Sequence, residues 1–394
     1  MSAAPDSSAR RSSAGTPLSR PEVPSSRPGA TALPLTDMRE LFEVAFQRKA
    51  SDIHLTENSP PMLRVHGSLL PTFLAPLTRT DTKRLIYGLL TDKHKAQFER
   101  DLELDFSIDI HQLGRFRVNV HMQRGSVEAA FRLVPNRIPP LHELGLPPVV
   151  AELTRRPNGL VLITGPTGVG KSTTMAAMVD LINRERRQHI VIVEDPIEYV
   201  HKNELSIVKQ REVYSDTKSF ANALRHALRQ DPDVIIVGEM RDLETVSTAI
   251  TAAETGHLVF ATLHTPDAAQ TIDRIIDIFP PNQKEEIKVQ LADCLQGVVS
   301  QQLLPRADGS GRVLSYEVMV CTSAVRNLIR EHATEQITTT LQTGAQHGMC
   351  TMDATIKTLF ERKLISYDTA ISHVKHPAEF HMMVGMQAPV RKTG

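Results

Sequence analysis

Eight consecutive residues, Gly165-Pro166-Thr167-Gly168-Val169-Gly170-Lys171-Ser172, satisfy every fixed position of the phosphate-binding pattern G-x-x-x-x-G-K-[ST]. Each residue type meets a physical need. Glycines let the backbone curl until successive N–H groups point at phosphate oxygens, and the start of a following helix adds unpaired N–H groups and partial positive charge. Lys171 is placed to reach the β and γ phosphates and the Ser172 hydroxyl to ligate Mg2+, with Thr173 counted in the same cradle. The apolar run at 160–163 reads as a buried strand and residues 173–182 read as a helix, which is the required context. A chance glycine-rich turn would not bring strand, loop, Lys-Ser and helix into register. ATP and Mg2+ are the expected ligands.

Two later apolar runs end in acids. Ile190-Val191-Ile192-Val193 leads into Glu194-Asp195-Pro196-Ile197-Glu198, and Val234-Ile235-Ile236-Val237 into Gly238-Glu239. Hydrolysis of a triphosphate needs one carboxylate for the Mg2+ shell and one to orient or deprotonate water. In a parallel sheet, ligands lie beyond the carboxyl ends of the strands, so Glu198 and Glu239 are the candidates. Asp233 precedes its strand and belongs at the opposite end. For any one of Glu194, Asp195 and Glu198, capping a following helix is the plainer alternative. A third run, 257–261, ends in Thr262-Leu263-His264-Thr265. Alone, His264 would read as a structural histidine; beside two acidic strand ends it is expected to sense the γ phosphate or pass its state onward.

The 394 residues, 41% of them hydrophobic, suffice for two or three domains. Residues 1–35 are dominated by Ser, Ala, Pro, Gly and Arg and are expected to form a disordered tail, whose Arg10, Arg11, Arg20 and Arg27 read as solvated. Residues 36–134 are expected to form a small α+β domain: a first helix, strands at 62–66 and 69–73, helical structure over 80–100, and alternating strands at 102–110, 114–122 and 127–133. Pro135, Pro139 and Pro140 mark a linker at 135–140. Residues 141–375 alternate strand and helix as an α/β domain, mainly helical after about 285, and 376–394 read as a flexible tail. No stretch reaches about 18 apolar residues, and the N-terminus has no secretory apolar segment. Lys plus Arg (45) balances Asp plus Glu (45), there is no Trp and aromatics are 4%, so no nucleic-acid partner is expected. Cys294, Cys321 and Cys350 form no C-x-x-C pair, which points to a reduced cytosolic setting without a cysteine zinc site.

These motifs together resemble the secretion ATPase superfamily. Residues 164–174 correspond to its Walker A motif, Glu194-Asp195-Pro196-Ile197-Glu198 to its Asp box, Gly238-Glu239-Met240-Arg241-Asp242-Leu243-Glu244-Thr245 to Walker B, and 251–265 to the His box. Ser51-Asp52-Ile53-His54-Leu55 is similar to the signature that opens its N-terminal domain. Ala324-Val325-Arg326-Asn327-Leu328-Ile329-Arg330-Glu331 resembles the AIRNLIRE motif of the twitching-motility retraction ATPases (PilT family), with Val325 in place of Ile. By pattern alone that segment is an amphipathic helix with Val325, Leu328 and Ile329 on its apolar face.

The resemblance implies a RecA-like P-loop ATPase core with a smaller PAS-like N-terminal α+β domain, nucleotide bound between the two, and a homohexameric ring. It implies a motor for type IV pilus retraction, cytoplasmic and peripheral at the inner membrane through contacts with a pilus platform protein. It assigns Lys171 to the phosphates, Ser172 and Glu239 to Mg2+ and Glu198 to water activation, leaving open which of Glu198 and Glu239 is the base. Arg117 and Arg132, rather than Arg124, are expected to neutralise phosphate charge. A nucleotide-gated regulatory module and a nucleic-acid translocase are the alternatives; the acids at 198 and 239 count against the first, and the neutral, aromatic-poor composition against the second.

Overall fold

A computed structural model of the chain describes residues 35–65, 67–134 and 137–385. The tail read over 1–35, apart from Leu35, the first two linker residues and the last nine residues of the chain lie outside the described residues. The chain divides into two compact units, one comprising the described residues up to Asp105 with Val118–Arg132, the other Phe106–Arg117 with the described residues from Leu133 onward.

The first unit opens with α1 (Met38–Gln47). Asp37 caps it by accepting from the Arg39 N–H, and Met38, Leu41, Phe42 and Ala45 recur at helical spacing to give one buried face. Next come β1 (Asp52–Leu55), β2 (Met62–Val65) and β3 (Ser68–Pro71), the last two paired antiparallel across a turn through Gly67. The stretch expected to be helical over 80–100 forms two helices, α2 (Arg79–Tyr87) and α3 (Asp92–Asp101). Gly88 closes the first, and Thr91 restarts the chain by accepting from the His94 N–H, a cap signal that outweighs the continuous polar-apolar pattern. Strands β4 (Glu103–Ile110), β5 (Gly114–Gln123) and β6 (Ser126–Leu133) complete a six-stranded sheet in the order β3-β2-β1-β6-β5-β4. The far ends of β4 and β5 group with the second unit, so the compact units do not follow the 36–134 boundary.

The second unit alternates as expected through α4 (Pro148–Thr154), β7 (Gly159–Thr164), α5 (Lys171–Glu185), β8 (His189–Glu194), β9 (Ile207–Glu212), α6 (Phe220–Ala227), β10 (Val234–Val237), α7 (Leu243–Glu254) and β11 (Leu258–Leu263). Strands β7, β11, β10 and β8 are adjacent and parallel, with Thr164 opposite Leu263, Val237 opposite Ala261, and Val237 opposite Val193. Their carboxyl ends therefore reach one edge of the sheet. β10 is buried at every position and β8 along its apolar centre, as strands covered on both faces must be.

After α8 (Ala268–Ile278) and α9 (Lys284–Cys294) the structure departs from the mainly helical expectation. Strands β12 (Leu295–Pro305) and β13 (Arg312–Val320) extend the sheet to seven, in the order β13-β12-β7-β11-β10-β8-β9. The polar residues Ser300 and Gln301 interrupt the apolar pattern of β12, yet both are fully buried, Ser300 Oγ accepting from Thr164 of β7 and Gln301 Nε2 donating to Thr174 of α5. The chain then runs through α10 (Ser323–Arg330), α11 (Ile337–Thr343), α12 (Met352–Glu361), α13 (Tyr367–His373) and α14 (Pro377–Met383). The last of these lies within the segment expected as a tail. Its Phe380 is fully buried with Leu304, Met352 and Ile356 and meets the Phe360 ring edge-on at 6.1 Å.

That packing makes α14 part of the folded core. Phe380→Ala is expected to cost about 3 kcal/mol of stability, read as a shift in the denaturant unfolding midpoint; a loss under 1 kcal/mol would mark α14 as peripheral.

Candidate functional site

The phosphate loop is shaped by two glycines and by β12. Gly165 has φ +133°, and a Cβ there would come within 2.4 Å of the Gln301 carbonyl oxygen, so no side chain fits. Gly170, at φ +94°, starts α5 without any side-chain cap, leaving the helix-start N–H groups to the loop. Gln301 Nε2 donates to Thr174 Oγ1 at 2.7 Å, and Thr164 Oγ1 donates to Ser300 Oγ at 2.8 Å, so β12 braces both ends of the loop. Lys171 folds back over it, its Nζ donating to the carbonyls of Gly165 at 2.6 Å and Pro166 at 3.1 Å. Burial lowers the pKa of this amine, while the charges of Glu239 and Glu198 act to raise it.

Glu239 leaves β10 and shares its carboxylate between two partners. Arg241 Nη2 lies 2.6 Å from Oε2 and His264 Nε2 lies 2.9 Å from Oε1. His264 Nδ1 in turn sits 3.4 Å from Thr167 Oγ1, so one polar chain runs from Arg241 through Glu239 and His264 into the phosphate loop. Burial acts to raise the Glu239 pKa, but the bond from Arg241 and the charges of His264, Arg241 and Lys171 prevail and hold it below the usual value. Asp233 lies at the opposite strand end, accepting from the His189 N–H at 2.7 Å.

The acids after β8 lie at the strand end and in the loop that leads to β9, with no helix following them, so none of the three acts as a helix cap. Glu194 is pushed up to about 8 by burial first and by the neighbouring charge of Glu198 second. Asp195 is raised by burial and by Glu212 and Glu239, against the pull of Arg241 and Arg117. Glu198 is exposed in the loop. On the other side, Thr173 Oγ1 lies 2.9 Å from the Tyr199 hydroxyl, which links the phosphate-loop helix to the acidic loop.

The fold thus gathers residues 165–173, Glu239, His264 and Glu198 at one sheet edge, and Arg117 is near enough for its charge to reach Asp195. Arg132 is placed otherwise. It belongs to the first unit, opposite Asp52 in the β1–β6 register, and its Nε donates to Asp52 Oδ1 at 2.8 Å. Arg124 lies in the β5–β6 turn at φ +49°, its carbonyl accepting from Arg79. Sequence reading missed Tyr199, Gln210, Glu212, Arg115 and the pairing of Arg241 with Glu239. Gln210 and Glu212 lie on β9, a mixed polar edge strand whose pattern carries no chemical signature.

The arrangement can hold a chain of phosphates on backbone N–H groups and a lysine, offer the hard oxygens of Ser172 and Glu239 to a divalent cation, and set carboxylates beside both. Residues 32–368 match the family described as type II/IV secretion system protein. A type IV pilus retraction ATPase, PilT, of Pseudomonas aeruginosa is 47% identical over 344 residues, 87% of this chain and all of that protein. A twitching motility protein of Neisseria gonorrhoeae is 46% identical over 310 residues, 79% of this chain and 83% of its own length. The crystal structure of the pilus retraction motor PilT with bound ADP superposes with a TM-score of 0.83 at 50% identity, covering 88% of this chain and 99% of that one.

The raised Glu194 pKa makes stability depend on pH. Above its ordinary value of 4.5 the unfolded chain gives up this proton while the folded chain keeps it, so this contribution is lost as pH rises toward about 8 and is level beyond it. Glu194→Gln is expected to flatten the fall of Tm over that range; identical slopes in variant and parent would contradict the assignment. Gly165→Ala is expected to abolish ADP binding by calorimetry, because the added methyl meets the Gln301 carbonyl.

Proposed function

This chain belongs to the type II/IV secretion system protein family, and from that premise we propose that it is an ATP-hydrolysing motor that drives type IV pilus retraction as a homohexameric ring. The observation that carries the reading is the polar chain Arg241–Glu239–His264–Thr167, which joins the phosphate loop to two neighbouring strand ends. A site that only held nucleotide would need the loop alone. A chain from the loop through a histidine to a carboxylate can register loss of the γ phosphate and pass it to α7 and α8.

In this reading the loop N–H groups and Lys171 hold the phosphates, Lys171 turning from the carbonyls of Gly165 and Pro166 to the β and γ oxygens. Ser172 and Glu239 fit Mg2+, which takes one or two protein oxygens beside phosphates and water. When bound, Mg2+ neutralises charge that develops on the transferring phosphoryl group. Against the effect of burial, Arg241 and His264 hold the Glu239 carboxylate below its usual range and make it the weaker proton acceptor, whereas Glu198 is exposed, which favours Glu198 as the group that accepts the proton of the attacking water. Arg117 and Arg132 are assigned to phosphate charge.

The segment resembling AIRNLIRE forms α10, with Val325 and Ile329 fully buried and Leu328 packed beside them. Arg326 donates to the carbonyls of Ala292 and Asp293, and Arg330 pairs with Asp293 at 2.6 Å, so two cations sit on the C-terminal end of α9. We assign α10 to coupling between hydrolysis and the pilus platform. Among the described residues no helix is long and apolar enough to cross a membrane, which agrees with attachment to the inner membrane through protein contacts.

Lys171→Ala and Glu198→Gln are expected to lower MgATP turnover at least about 100-fold, and deletion of the gene to leave cells hyperpiliated and non-motile. Wild-type turnover in both variants, or bald deletion cells, would overturn the reading. Leu328→Ala is expected to keep most of the hydrolysis and lose twitching; normal motility would remove α10 from the coupling role.

A further inference from the structure

Along β9, Gln210 and Glu212 stand two residues apart and so face the same side. Both give their side chains to the acidic loop. Gln210 Nε2 donates to the Tyr199 carbonyl at 2.7 Å while its Oε1 accepts from the His201 N–H at 2.8 Å. Glu212 Oε2 accepts from the Ile197 N–H at 3.2 Å. The two anchors fall on either side of Glu198, at the residue before it and the residue after it.

Glu212 is itself held unusually firmly. Its side chain is 5% exposed and pairs with Arg115 Nη2 at 2.8 Å, Arg115 being 17% exposed. Ser107 Oγ adds bonds of 3.0 and 3.1 Å to its two oxygens, and its own N–H donates to Asp216 Oδ2 at 2.8 Å. Neither Ser107 nor Arg115 belongs to a nucleotide motif; both come from the far ends of β4 and β5. A buried pair of this kind is a poor source of stability, since desolvation offsets most of its attraction. Its geometry is what it can supply: three donors, the Ile197 N–H, Arg115 and the Ser107 hydroxyl, converge on one carboxylate, and that carboxylate holds the backbone beside Glu198.

We propose that Glu212 is a positioning residue for hydrolysis: fixed by Arg115 and Ser107, it sets the acidic loop so that Glu198 reaches the attacking water. The inference rests on the reading of Glu198 as the base. Arg117 follows Arg115 by two residues on the same face of β5, and its charge reaches Asp195, so the same stretch of chain that orients the base also brings a cation to the acids. A displacement of about 1 Å at a reacting group can cost about 100-fold in rate, which is the scale on which loosening the anchor should be felt.

The test compares Glu212→Gln, Arg115→Gln and Arg115→Lys with Glu198→Gln in the full chain, reading kcat and KM for MgATP, affinity for a fluorescent ADP, and Tm. Glu212→Gln and Arg115→Gln are each expected to lower kcat about tenfold or more, with KM and ADP affinity within about twofold. The double variant is expected to be no worse than either single one, because the two side chains act as a unit, and Arg115→Lys to recover part of the loss. Unchanged kcat with a lowered Tm would overturn the proposal, as would kcat falling in step with ADP affinity. If Glu212→Gln does not fold, wild-type kcat in Arg115→Gln overturns it and a selective loss of kcat supports it. Glu198→Gln separates the two levels: inactivity there with full activity in the Glu212 and Arg115 variants sinks this inference alone, whereas full activity there sinks the base assignment beneath it.

Discussion

Parallel pairing of β7, β11, β10 and β8 is the constraint on which the site depends. A parallel ladder leaves no freedom over which end of each strand meets which edge, so the phosphate loop, His264, Glu239 and Glu194 must emerge together once the four strands are adjacent. Adjacency is enforced by burial, since the apolar cores of these strands are inaccessible and the helices cover both faces. The chemistry is then placed by one- or two-residue extensions beyond each ladder. Short extensions are stiff, which is why Glu239 and His264 meet at hydrogen-bond distance although 25 positions separate them in the chain.

Around that edge the protein accepts electrostatic cost. Glu194 and Asp195 are raised and Lys171 is lowered chiefly by burial, each moving toward its neutral form. Glu239 moves the other way because Arg241 and His264 overcome the burial penalty. Neighbouring carboxylates thus hold different protonation preferences: burial prevails at Glu194 and Asp195, whereas at Glu239 a direct bond from Arg241 and nearby positive charge overcome it.

The late strand β12 has a second role besides extending the sheet. Its backbone approaches Gly165 so closely that only glycine is tolerated there, and Ser300 and Gln301 bond to Thr164 and Thr174 on either side of the loop. The phosphate loop is therefore rigid because a strand more than 120 residues later in the chain packs against it. Helices α12 to α14 then seal Leu304 at the end of that strand. The C-terminal helices reach the neighbourhood of the site through β12 and through Lys375, between α13 and α14, whose Nζ donates to Asp267 Oδ2 at 2.9 Å just before α8.

Chain order alone was enough for the phosphate loop, the acids after two apolar runs, the histidine after a third and the alternating architecture that carries them, because these depend on local spacing and on burial patterns that composition exposes. It misread β12 and β13 as helix and α14 as tail, since the buried polar residues of β12 hide its period and α14 is stabilised by Phe380 meeting residues of other elements. Arg132 shows the same limit: its place on an alternating strand is legible, but its ion pair with Asp52 follows from strand register. Which oxygen of Glu239 faces His264, that Lys171 lies across its own loop, and that Glu212 holds the loop carrying Glu198 were decided only by folding. Each is a contact between segments whose separation in sequence carries no signal, and whose energy exists only once water has been excluded from between them.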